Sequence, residues 1–162
     1  MASGYKLSAD IAVEQANTGP RERAVLVYPI IFAYRHYIEL ALKAGIATFG
    51  RYAGVKSDWK NHRLESLWIK FAAIQKEITG IEPDEADAVV EGVVLEFAKV
   101  DPDSFAYRYP CDKNGKLLPV EHSELNLAGL KAVMDRVENY FGGCESAMGA
   151  VVENFPDADD WP

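Results

Sequence analysis

The stretch Arg21–Phe49, RERAVLVYPIIFAYRHYIELALKAGIATF, decides the fold. Most of it is apolar enough to be buried on every side, which marks a central helix rather than a surface one. Its middle nevertheless carries Arg35, His36, Glu39 and Lys43. On a helix, Arg35 and Glu39 are four apart, Glu39 and Lys43 are four apart, and His36 precedes Glu39 by three, so these groups form a polar stripe on an apolar rod. Buried ionisable groups are costly unless they are paired or used. Pro29 predicts a kink near Tyr28–Pro29. Pro20 suits the helix start, and Gly50 with Gly54 suits its end.

Helical periodicity continues on both sides of this stretch. Upstream, Ser8 is a candidate cap for a short helix over Ala9–Gln15, broken by Asn17-Thr18-Gly19-Pro20 and too short to stand without docking. Downstream, Leu64, Leu67, Trp68, Phe71 and Ile74 repeat at three and four, predicting a helix over about 63–78 with Ser57 or Asn61 as cap and His62 at its N-terminal end. Glu85–Val100 places Ala86, Val89, Val90, Val93, Val94, Phe97 and Val100 on one face, and Gly92 suggests a close helix approach. A last helix starts at Asn126 or Leu127, with Gly142-Gly143 either ending it at about Tyr140 or lying within it.

Between these, residues 101–122 do not read as helix. Phe105, Tyr107 and Tyr109 alternate, Asn114-Gly115 is a two-residue turn signal, and Leu117-Leu118 supplies a return strand. The expected fold is therefore an all-α bundle of four to five helices with a small β-hairpin insertion at about 105–118. One domain over 1–155 would be followed by a flexible acidic tail at 156–162.

The 162 residues are 49% hydrophobic and 26% charged, an ordinary globular balance. A net charge of −8 argues against broad electrostatic capture of nucleic acid, while leaving room for a small basic cleft. Cys111 and Cys144 form no CxxC pair, and MASGYKLSAD lacks the plan of a signal peptide. The uncharged run Ala24–Tyr34 is too short to cross a bilayer. Together these predict a cytoplasmic chain with no membrane partner.

No P-loop, GxSxG, HExxH or glycine-rich dinucleotide turn is present, and no metal or cofactor is implied. The polar stripe has two readings. As a phosphate or nucleotide site, Arg35 and Lys43 would hold anionic oxygens, His36 would move a proton and Glu39 would orient it. As a structural network, the same groups would fix helix register by pairing inside the core. Tyr107-Arg108-Tyr109 has the same duality: base stacking and phosphate binding, or hairpin packing with Arg108 paired to an acid such as Glu39. Of the three histidines, His62 starts the helix after the stripe and is expected beside it, while His122 sits in a loop.

The segments YRHYIELALKA (34–44), NHRLESLW (61–68) and DPDSFAYRYPCDKNGKL (101–117), followed by an amphipathic helix, resemble the HEPN-like proteins of prokaryotes, over about Tyr28–Phe141. The resemblance implies a small helical bundle, a homodimer, and a role in RNA processing, phage defence or toxin–antitoxin pairs. Active members are metal-independent ribonucleases with an Arg-x4–6-His motif at the dimer cleft. No arginine here precedes a histidine at that spacing: Arg35 and His36 are adjacent and point about 100° apart. The family's catalytic residues are therefore not carried over. The resemblance leaves Arg35, His36 and Glu39 as candidate catalytic groups, with Lys43, His62, Tyr107 and Arg108 as candidate binding groups. RNA or a nucleotide is the expected ligand. A non-catalytic module that dimerises or docks on a protein partner is the alternative.

Overall fold

A computed structural model describes residues 1–101 and 125–154, and these are helical throughout, joined by turns and short loops. The helices are α1 (Ala2–Ala16), α2 (Pro20–Phe49), α3 (Leu64–Thr79), α4 (Glu85–Val100) and α5 (Leu127–Val152), with a single 3-10 turn, Gly50–Ala53, closing α2. Among the described residues there is no strand. The expected hairpin at 105–118 and the tail at 156–162 lie outside the described residues.

The 30-residue α2 is the axis of the bundle, with α1, α3 and α5 all packed against it. Its Ile30, Tyr34, Ile38 and Leu42 are completely buried, one side chain per turn at i, i+4 spacing. Pro20 lies in its first turn, where the missing N–H costs nothing. Pro29 lies inside, and helical structure runs through it. Taken whole, Pro20–Ala53 is long and apolar enough to span a bilayer, unlike the Ala24–Tyr34 run alone. The core helix of a bundle meets the same measure, and 56% of its most apolar window is buried here.

The flanking helices follow from their apolar periods, with three departures. First, α1 starts at Ala2, not at Ala9. Ser8 sits inside it, its hydroxyl donating to the Gly4 carbonyl one turn back at 2.8 Å instead of capping the end. Second, the apolar face of α4 is only half covered: Val90, Val94 and Phe97 are buried, whereas Val89 and Val100 face solvent. Third, no close neighbour meets Gly92, so that glycine marks no helix crossing. The close crossing is at Gly45, where a Cβ would come within 2.6 Å of the Phe71 ring of α3. In α3 all five expected core residues are buried.

Helix ends are set by local chemistry. Gly54 and Gly80 adopt left-handed φ values of 64° and 66° after the 3-10 turn and α3. Asp84 caps α4 in a reciprocal box with Asp87. Asn126 caps α5 through the Gly129 N–H at 2.9 Å, and α5 runs unbroken through Gly142-Gly143 to Val152.

Candidate functional site

The polar stripe of α2 meets the loop that joins the 3-10 turn to α3. Arg35 is completely buried and Glu39 is 1% exposed. Arg35 Nη1 donates to Glu39 Oε2 at 2.9 Å, and Lys43 Nζ donates to Glu39 Oε1 at 2.8 Å. These are the two i, i+4 pairs expected from the spacing. Both cations then reach beyond the helix. Lys43 Nζ donates to the Trp59 carbonyl at 2.9 Å, and Arg35 Nη2 donates to the His62 carbonyl at 2.8 Å. Arg35 Nε donates to the Asp101 carbonyl at 3.0 Å and lies 3.5 Å from the buried Asp101 carboxylate. Two cations thus face two carboxylates, which limits the cost of burying either kind.

The histidine that Glu39 holds is His62. Its Nδ1 lies 2.8 Å from Glu39 Oε1. Burial pushes the Glu39 carboxyl up, but hydrogen bonds from Lys43, His62 and Arg35 outweigh it and hold the group below its ordinary range. An ionised carboxylate only accepts, so in this contact Nδ1 carries the hydrogen and the other ring nitrogen, Nε2, is not engaged by Glu39. The His62 side chain is 55% exposed, so this ring spans from a buried carboxylate to solvent. An imidazole oriented by a carboxylate and open to solvent is able to move a proton.

The loop itself is held at three points: the Trp59 carbonyl, the His62 carbonyl and the His62 ring. Its tip is open. Trp59 is 57% exposed, and Lys56, Lys60 and Arg63 are exposed beside it. Over 55–63 these three cations face only Asp58, so the segment is basic in an acidic chain. Asn61 Oδ1 accepts from the Arg63 N–H at 3.0 Å, shaping the entry to α3 without capping its first turn.

His36 goes elsewhere. Its ring lies edge-to-face with Tyr5 of α1 at 4.4 Å and stacks on Phe32 at 5.5 Å. The expected partnership of Glu39 with His36 is replaced by Glu39 with His62: Glu39 is held by its i, i+4 partners Arg35 and Lys43 toward the loop, while His36, about 100° round the helix from Arg35, packs against Tyr5 of α1. The structure therefore unites Arg35, Glu39, Lys43 and His62. Tyr107 and Arg108 lie outside the described residues. Two contributors were not foreseen. Asp101 gives no local signal, since it joins Arg35 across 66 positions. Trp59 did carry one: a large aromatic in the polar run VKSDWKNH has no periodic apolar partner to pack with.

A second buried charge cluster lies between α1, α2 and α5. Lys6 is buried, with Nζ 2.8 Å from Asp10, 2.6 Å from Asp135 and 3.2 Å from Glu138. Tyr34 donates to the other Asp10 oxygen at 2.7 Å. Among the described residues no group of three or more His, Cys, Asp or Glu side chains is arranged to hold a metal ion. No protein-family model, no curated protein and no solved structure matches this chain.

Proposed function

We propose that this chain is a HEPN-like helical domain that binds RNA or a nucleotide at the 55–63 loop, with His62 as the proton-transfer group. The observation that carries the reading is the buried Glu39 holding an exposed His62, on a loop whose backbone Arg35 and Lys43 grip from inside the core. In this reading Trp59 stacks on a base and Lys60 and Arg63 meet phosphate. Glu39, Arg35 and Lys43 position the loop and do not touch the ligand. If the ligand is cleaved, His62 Nε2 accepts the 2′-OH proton. The 2′-oxygen then attacks phosphorus, and the bond to the 5′-oxygen breaks as that oxygen takes a proton from solvent water, the proton held on His62 being returned to solvent afterwards. The products are a 2′,3′-cyclic phosphate and a 5′-hydroxyl.

The test uses a fluorescent mixed-sequence RNA in EDTA, read by anisotropy for binding and by gel for cleavage. Wild type binds; Trp59→Ala and Lys60→Glu bind about tenfold more weakly or worse. His62→Ala keeps binding and loses cleavage, whereas His36→Ala keeps both. Wild type that neither binds nor cuts overturns the reading, as do Trp59→Ala and Lys60→Glu variants that bind as wild type does.

The complete burial of Arg35 favours a second reading, in which the network only stabilises the bundle and the protein works by docking on itself or a partner. Under that reading Trp59→Ala leaves RNA behaviour untouched, and Glu39→Ala affects folding alone.

A further inference from the structure

Among the described residues, one groove lies apart from the 55–63 loop. It runs between α3 and α4, holds about 470 Å³, and uses none of the loop's residues. Its floor is Trp68, and its open edges carry Ile69, 60% exposed, and Ile81, 65% exposed. Apolar side chains left open along a concave edge mark a surface that gains by being covered. The α4 wall is acidic: Asp84, Asp87 and Glu91 all line it. Residues 82–99 carry six acids against one base, Lys99. The one basic side chain lining the groove, Lys76, is already paired with Glu82 at 2.8 Å.

We propose that this groove docks a basic amphipathic helix of a partner protein. Such a helix would place its apolar stripe against Ile69, Trp68 and Ile81 and its Lys or Arg side chains against Asp84 and Glu91. Residues 69–76 of α3 and 84–91 of α4 each run about 10 Å, enough for two turns of a docked helix. Charge excludes the main competitors. Nucleic acid and an anionic lipid surface are repelled by the wall. A second copy would set acid wall against acid wall, where like charges in contact oppose association.

The probe is a labelled amphipathic peptide of about 18 residues built from Leu and Lys, with a Leu/Glu peptide of the same pattern as its counterpart. Anisotropy titrations use the full chain, with helicity by circular dichroism confirming that each variant is folded. The Leu/Lys peptide is expected to bind and the Leu/Glu peptide not. Ile69→Asp and Glu91→Lys are each expected to weaken binding about tenfold, while Glu145→Lys, on α5 and outside this groove, changes it less than about twofold. The proposal is overturned if neither peptide binds, or if all three variants bind alike, which would mean diffuse attraction to an acidic protein. It is also overturned if light scattering shows a dimer that Ile69→Asp splits, because the occupant would then be a second copy.

Discussion

The Glu39 cluster sets a carboxylate at the centre of two cations and a histidine; the Lys6 cluster sets a cation at the centre of three carboxylates. Both lie against α2, yet they join different things. Lys6 ties helix to helix, side chain to side chain, and two of its acids, Asp135 and Glu138, are nearly half exposed. Arg35 and Lys43 spend hydrogen bonds on backbone carbonyls of a loop. A cluster of the first kind staples elements that already pack. One of the second kind dictates the course of a segment with no apolar period of its own, which is how a bundle presents side chains at a fixed place.

The largest effect should come from the centre of the Glu39 cluster. Glu39→Ala leaves Arg35 and Lys43 buried without their shared carboxylate, at a cost of about 3–5 kcal/mol, read from urea unfolding. The pH dependence has a definite sign. Glu39 is held below its ordinary range, so its contribution is full above the unfolded value of about 4.3 and fades as pH falls through the lower folded value. The stability gap between wild type and Glu39→Gln should therefore hold from pH 7 to about 5 and close in stronger acid. A gap that stays constant down to the acid limit would mean that Glu39 is not held as an ion.

Lys43→Met comes next. It keeps the apolar stem and removes bonds to Glu39 and to the Trp59 carbonyl, for about 2–3 kcal/mol. Amide exchange should speed up over residues 55–63 and stay unchanged in α1. Lys6→Met should cost less, about 1–2 kcal/mol, because its half-exposed acids regain water. It should leave exchange in the loop and RNA binding as in wild type. Burial alone would lower the Lys6 ammonium, but hydrogen bonds to Asp10, Asp135 and Glu138 outweigh it and raise the group. Its contribution is thus complete below about pH 10.4 and lost only as pH rises through the folded value. Should Lys6→Met loosen the 55–63 loop as much as Lys43→Met does, the distinction between staple and scaffold fails.

These differences also explain what the sequence could disclose. Arg35, Glu39 and Lys43 were legible because their pairing is a property of one helix, fixed by i, i+4 geometry. His62 is legible in position, since the predicted start of α3 sets it near α2, but i, i+3 spacing alone pairs Glu39 with His36, the nearer residue in sequence. The Lys6 cluster was not legible: Lys6 and Asp135 are 129 positions apart, and only the docking of α1 and α5 brings them together. The α1 start was missed because a serine that suits a cap also tolerates a helix interior when its hydroxyl finds the carbonyl four residues back. The half-open face of α4 was hidden for another reason. Periodicity identifies which residues share a face, not how much of that face a neighbour covers.

The smallest expected effect on stability separates the two readings of the site most sharply. His62→Ala removes one hydrogen bond to Glu39 from a side chain that is more than half exposed, and Arg35 and Lys43 still satisfy both carboxylate oxygens. The loss should stay under about 1 kcal/mol, a shift of a few degrees in Tm at most. A side chain that adds so little to folding, yet is aimed by a buried carboxylate, has a position that folding alone does not explain. If the loss instead equals that of Lys43→Met, His62 is one more bolt on the loop. The Glu39 cluster would then differ from the Lys6 cluster only in what it fastens.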